Sequence, residues 1–135
     1  MSKPLFDSLY NGMERVLDLR GQQHALTVSN LANADTPGFK ARYIDFEHAL
    51  SEAVGSGDRL QLQTADARHL SAPGGAENPK ILEVEAPLWS EDGNSVYSER
   101  EVARLNANAL QYTAVSKGLS RKLALLRFAA SDGRS

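Results

Sequence analysis

Apolar residues recur at spacings of three and four over two long stretches, one near each end of the chain, and lose that rhythm between them. In residues 5–33, which contain no proline, Phe6, Leu9, Met13, Val16, Leu17, Val28 and Leu31 predict an amphipathic helix, with Pro4 suited to its first turn. The stripe is broken where it passes Arg20 and His24, and Gly12 and Gly21 each cost about 1 kcal/mol relative to alanine. Taken alone, this helix is weak. The C-terminal stretch is better specified. Ser98-Glu-Arg-Glu101 predicts a capping box, Ser98 accepting from the Glu101 amide and Glu101 reaching back. Residues 99–131 then hold no proline and one glycine, Gly118. Val102, Leu105, Ala109, Tyr112, Leu119, Leu123, Leu126 and Ala130 mark a heptad seam with a polar gap at Ser116. A seam sustained that long predicts coiled-coil-like packing against another helix. Asp132-Gly133 is the expected stop.

The middle follows other rules. Phe46, Leu50 and Val54 predict one short helix ending at Gly55-Ser-Gly57. Ala72-Pro-Gly-Gly-Ala-Glu-Asn-Pro79 is loop chemistry, and Glu91-Asp-Gly-Asn94 reads as a turn ahead of the last helix. Leu60-Gln-Leu-Gln and Ile81-Leu-Glu-Val-Glu suit short strands, with nothing to set their pairing. The chain therefore divides into an N-terminal helix and turn (1–42), a loop-rich middle (43–93) and a C-terminal helix (94–135). The expected fold is mainly α, with the two long terminal helices as a coiled-coil-like pair.

At 1.5 Å per residue these helices run to roughly 43 and 50 Å. A compact chain of 135 residues has a diameter of roughly 37 Å. Two such helices do not fit that sphere, so the molecule is elongated. Its seams must be covered by the other helix, by a second copy or by a neighbour.

Charge sharpens the division. The net charge of -2 is spread as +1 over residues 1–42, -7 over 43–93 and +4 over 94–135. Two readings stand: attraction between the acidic middle and the basic end, or a solvated acidic loop beside a helix whose last turns suit its dipole. Composition removes several chemistries. With no cysteine there are no disulfides, zinc thiolates or thiol nucleophiles. No apolar run approaches the roughly 18 residues of a membrane span, and the polar residues Asp7, Asn11, Glu14 and Arg15 deny the start a cleavable signal.

One run is more specific than its local chemistry requires. Residues 29–42 read Ser29-Asn-Leu-Ala-Asn-Ala-Asp-Thr-Pro-Gly-Phe-Lys-Ala-Arg42. Asn33 tolerates the left-handed backbone common past a helix end. Pro37 and Gly38 supply the fixed and the positive φ of a type II turn, and Phe39 follows as an apolar anchor. This run resembles the signature near the N-terminus of flagellar axial proteins, the rod, hook and hook-associated subunits. Within that group, Arg42-Tyr-Ile-Asp-Phe46, Arg68-His-Leu70, Asp92-Gly-Asn94 with Glu99 and Glu101, Asn108-Ala-Leu-Gln-Tyr112 and Leu119-Ser-Arg-Lys-Leu123 with Leu126-Arg127 resemble the short proximal rod subunits. The likeness is good over residues 1–50 and 90–130 and loose between. Tyr97 departs from it: these proteins open the last helix with an aspartate, so the expected N-cap moves to Ser98 or Ser95.

The resemblance implies a structural subunit of the periplasmic rod of the flagellar basal body, exported by the flagellar type III apparatus. Such a subunit connects the MS ring to the rest of the rod and transmits motor torque. Its implied partners are copies of itself, other rod subunits, the adaptor between MS ring and rod, and the export apparatus. Ser29, Asn30, Asn33, Thr36, Pro37, Gly38 and Phe39 are then the assembly motif, their polar members available to neighbouring subunits. Val102, Leu105, Ala109, Tyr112, Leu119, Leu123 and Leu126 form the packing seam. The alternative is a generic coiled-coil dimerisation protein, which accounts for the heptads and leaves residues 29–42 as coincidence.

No enzyme, cofactor or metal is expected. His24, His48 and His69 lie far apart without ligand spacing, and neither a Gly-x-Ser-x-Gly elbow nor a phosphate loop is present. Lys117, Arg121, Lys122, Arg127 and Arg134 crowd the C-terminal end, but a pI near 5.9 and the lack of interleaved aromatics argue against nucleic acid. Direct membrane insertion is not expected either.

Overall fold

The computed structural model describes residues 5–55 and 79–131. Its elements in order are helix α1 (Leu5–Ala32), strand β1 (Arg42–Ile44), helix α2 (Phe46–Gly55), strand β2 (Ile81–Glu83) and helix α3 (Ser98–Ala130). The long terminal helices pack on each other, as their periodicity requires. They are antiparallel: Asn30 bonds to Glu101, Arg20 to Asn108, and Met13 closes on Gly118, where an added Cβ would lie 3.4 Å from the Met13 methyl. At 28 and 33 residues the helices run to about 42 and 50 Å, which makes the molecule elongated.

The short helix begins at Phe46 and ends at Gly55, the limits its pattern predicts. β1 and β2 form a two-stranded antiparallel ribbon with Arg42 opposite Glu83, Tyr43 opposite Leu82 and Ile44 opposite Ile81. Leu60-Gln-Leu-Gln, Arg68-His-Leu70, the 72–78 loop and Asp132-Gly133 lie outside the described residues.

Among the described residues the apolar core is small. Leu19, Ile44 and Ala49 are buried, with Leu26, Phe46 and Leu50 packed around them. Fully burying a leucine or isoleucine gives about 1.5–3 kcal/mol, so these few hold only a modest core. Polar groups occupy the rest of the interface: Gln23, Thr27 and Asn30 of α1 and Glu101 and Asn108 of α3 are all buried.

This shifts the seam of α1 from its expected place. The line facing the protein is Leu19, Gln23, Thr27 and Asn30, spaced by four and three, while Leu9 and Val28 of the apolar stripe are more than 40 % exposed. Arg20 does not break the packing but joins it, its guanidinium 4.2 Å from the Phe46 ring centroid. The capping box also fails. The N-cap of α3 is Tyr97, without a side-chain cap, rather than Ser98 or Ser95. Glu101 does not reach back because its carboxylate is buried against α1 and β1.

Candidate functional site

The structure gathers most of residues 29–42 into a polar knot where α1 ends, β1 begins and α3 starts. Asn30 is its hub, with no exposed surface. Its side-chain amide acts like a neighbouring strand toward Arg42: Oδ1 accepts from the Arg42 amide at 2.9 Å and Nδ2 donates to the Arg42 carbonyl at 3.0 Å. The second Nδ2 hydrogen goes to Glu101 Oε2 at 3.1 Å. About two turns earlier on the same face, Gln23 Oε1 accepts from the Ile44 amide at 2.8 Å. Two side-chain amides seven residues apart thus hold β1 against α1, replacing a third strand. Neither residue could be apolar without orphaning backbone groups.

Glu101 ties the third element in. Besides Asn30, it accepts from the Tyr43 hydroxyl at 2.5 Å, and Arg104 Nη1 lies 4.0 Å from the same oxygen. Arg104 stacks over the Tyr43 ring, 3.8 Å from its centroid. Burial, followed by the hydrogen bond to Glu101 and its charge, pushes the Tyr43 hydroxyl up to about 12.

The turn after α1 is clamped from the other side of the knot. Asn33 closes the helix, its Nδ2 donating to the Ser29 carbonyl at 2.8 Å and its Oδ1 accepting from the Thr36 hydroxyl. The Phe39 amide donates to the Thr36 carbonyl across Pro37-Gly38, and Gly38 has φ of 74°, which a Cβ would oppose. Into this bend points Asn94, whose Nδ2 lies 2.8–2.9 Å from the carbonyls of Asn33, Ala34 and Thr36. Ser95 sits beside it: its amide donates to the Phe39 carbonyl, its hydroxyl donates to the Val84 carbonyl and accepts from the Ala41 amide. Asp92 shapes the approach by accepting from the Asn94 amide and the Ser90 hydroxyl, which holds its carboxyl below the usual range. The helix exit and the segment before α3 are therefore one unit.

This changes what the motif residues can do. Asn30 and Asn33 spend their side chains inside the chain. Thr36, Pro37 and Gly38 are exposed at the turn, while Ser29 and Phe39 are half-buried. The seam residues of α3 divide similarly. Leu105 and Leu119 are half-buried toward α1, whereas Val102, Ala109, Tyr112, Leu123 and Leu126 remain exposed, with Leu110, Leu125 and Phe128 adding more apolar surface. Sequence reasoning missed Gln23, Tyr43, Asn94, Ser95 and the role of Glu101. A signal existed: Gln23, Thr27 and Asn30 on α1, and Glu101 and Asn108 on α3, recur at helical spacing. Polar residues in such a line mark a buried polar face.

Among the described residues no cluster of His, Asp and Glu suits a metal ion, and no helix is long and apolar enough to cross a membrane.

A hairpin of long helices, latched at one end and lined with exposed apolar residues, is the geometry of a structural subunit. The family described as "Flagella basal body rod protein" matches residues 9–40, which cover α1 from Leu9 onward and the turn to Lys40. Curated proteins named flagellar basal body rod protein FlgB are similar over most of the chain. That of Yersinia enterocolitica is 36 % identical over 115 residues, covering 78 % of this chain and 81 % of its own length. That of Cereibacter sphaeroides is 38 % identical over 109 residues (81 % and 83 %). That of Escherichia coli K12 is 31 % identical over 124 residues (87 % and 88 %). The chain belongs to the FlgB family of flagellar basal body rod proteins, a structural and non-enzymatic family.

Proposed function

We propose that this rod subunit sits in the proximal, periplasmic part of the rod, where it links the MS ring to the remaining rod subunits and transmits motor torque. It reaches that place through the flagellar type III export apparatus and assembles through its terminal helices. Its neighbours are copies of itself, other rod subunits and the adaptor between MS ring and rod.

The observation that carries this reading is the unequal covering of α3. Near the latch the helix is fixed to α1 and β1, while Leu110, Tyr112, Leu123, Leu125, Leu126 and Phe128 present apolar surface from its middle to its end. Such a face is stabilised by burial against other helices far more than by intrinsic propensity. Exposed thus, it supports assembly by helix packing, with the latch fixing the angle at which α3 is offered. Torque then passes along helices held at a set register.

Deletion of the gene tests the reading. Cells should lose swimming and assembled hooks, and supplying the chain in trans should restore both. Purified basal bodies should contain the chain below the other rod subunits, next to the MS ring. Normal flagella in the deletion strain, with the protein found only as a free coiled-coil dimer, would refute it.

A further inference from the structure

The cleft between α1 and α3 beside the latch has properties the fold itself does not need. It measures about 230 Å³ and is lined by Arg20, Tyr43, Phe46, Arg104, Asn108 and Gln111 among others. Two guanidinium groups flank it, one over the Phe46 ring at 4.2 Å and one over the Tyr43 ring at 3.8 Å. Stacking occupies the faces of these groups and leaves their N–H edges for an acceptor. Arg20 Nε is buried without a hydrogen-bond partner, and Arg20 Nη1 reaches Asn108 Oδ1 only at 3.5 Å. Arg104 lies 4.0 Å from Glu101, whose oxygens are already bonded by Asn30 and Tyr43. Arg104 thus has beside it only a carboxylate that is already engaged, and a buried donor of Arg20 stands unmet, which native proteins rarely tolerate.

We propose that this cleft receives an acidic side chain from residues 81–92 of a second copy of the chain. The guanidinium fork matches a carboxylate, which could bridge Arg20 and Arg104. The chain itself offers the complement: residues 43–93 carry a charge of -7, and Glu83, Glu85, Glu91 and Asp92 are exposed, Glu85 paired with Lys40 at 2.6 Å and Asp92 bonded to Ser90 and Asn94. None of these four lines the cleft of its own molecule. Cleft and acidic run are different surfaces, so the contact can repeat head to tail from subunit to subunit, the geometry that rings and helical shafts require. The proposal rests on the rod-assembly reading above and names one contact within it.

The absence of cysteine makes the test direct. Two variants, Gln111→Cys at the cleft and Leu88→Cys beside the acidic run, both at exposed positions, are expressed together in the deletion strain and treated with a short bis-maleimide. A mixed dimer in isolated basal bodies is expected, reduced about tenfold when Arg104→Glu is added to the Gln111→Cys chain. Independently of the cysteines, Arg104→Glu should impair swimming, and Glu91→Lys or Glu83→Lys in the same chain should restore it. A dimer indifferent to Arg104→Glu, cross-linking to a different rod subunit, no dimer in assembled basal bodies, or no restoration by either lysine overturns the contact. Each of these leaves the deletion phenotype untouched, so the rod-assembly reading stands or falls separately.

Discussion

Replacing Glu101 by alanine removes a buried side chain that joins α3 to both α1 and β1. The carboxylate has no exposed surface and accepts from Asn30 at 3.1 Å and from Tyr43 at 2.5 Å. Hydrogen bonds to a charged group are worth about 1.5–3 kcal/mol each, and the loss leaves one Asn30 hydrogen buried and unmet. Two effects reduce the total. Tyr43 is half-buried, so its hydroxyl recovers a bond to water, and burying a carboxylate carries its own desolvation cost of several kcal/mol. Breaking comparable buried pairs costs about 3–5 kcal/mol, and the rehydration of Tyr43 places Glu101→Ala near the lower end, at about 3 kcal/mol. Glu101→Gln keeps an acceptor in place and should lose about 1 kcal/mol. Urea denaturation of the purified chain followed by circular dichroism reads both values. A double-mutant cycle of Glu101→Gln with Tyr43→Phe should show a coupling of about 1 kcal/mol. A Glu101→Leu variant as stable as the wild type, or a coupling of zero, would mean that desolvation outweighs the bonds. The latch would then not be what holds the helix exit.

Other consequences follow from neighbouring groups. The raised Tyr43 ionisation favours the folded state while the hydroxyl is neutral, so its contribution is complete below pH 10 and lost as pH rises toward about 12; the tyrosinate absorbance step near pH 12 should vanish in Tyr43→Phe. Asn94→Ala should cost about 1–3 kcal/mol by orphaning the carbonyls at the turn, and Asn94→Asp should cost more because it aims a negative oxygen at them, an order that thermal melts of the two variants would check. Leu119→Asp places a charge against α1 and should abolish swimming while leaving expression intact, as motility agar and immunoblotting would show. In dilute monomer, amide exchange should be slow around residues 23–44 and 94–108, where the knot lies, and fast beyond residue 120; uniform protection along α3 would contradict an end that waits for neighbours.

The large divisions of the molecule were legible in the sequence because they depend on periodicity. Two proline-free stretches with three- and four-residue spacing can only be long helices, and Phe46, Leu50 and Val54 gave the short one to its last residue. The register between the helices was not legible, for a physical reason. Apolar periodicity assumes that buried means hydrophobic, and at the latch the buried residues are Gln23, Thr27, Asn30, Glu101 and Asn108. The same assumption displaced the seam of α1 and made Glu101 look like part of a cap. Ser98-Glu-Arg-Glu101 satisfies the capping pattern letter by letter, but a carboxylate goes where its bonds are best, and Asn30 with Tyr43 outbid a local amide. Gly38 was read correctly because a positive φ is a local demand that the turn residues announce. Asn94 could not be read, since its three carbonyl partners lie some sixty residues earlier in the chain.

The antiparallel ribbon fixes where the middle of the chain leaves the helix pair. Ile44 faces Ile81, so the chain that runs from β1 to β2, α2 included, begins and ends on paired residues about 5 Å apart. The ribbon therefore works as a neck. A segment that leaves and returns through one neck can lengthen at little cost, each doubling adding only about 0.6 kcal/mol of closure entropy. The part beyond α2 can change without unseating α1 or α3, because Asn30, Gln23 and Ser95 hold the neck by its backbone, while α2 itself stays in the core through Ala49 and Leu50.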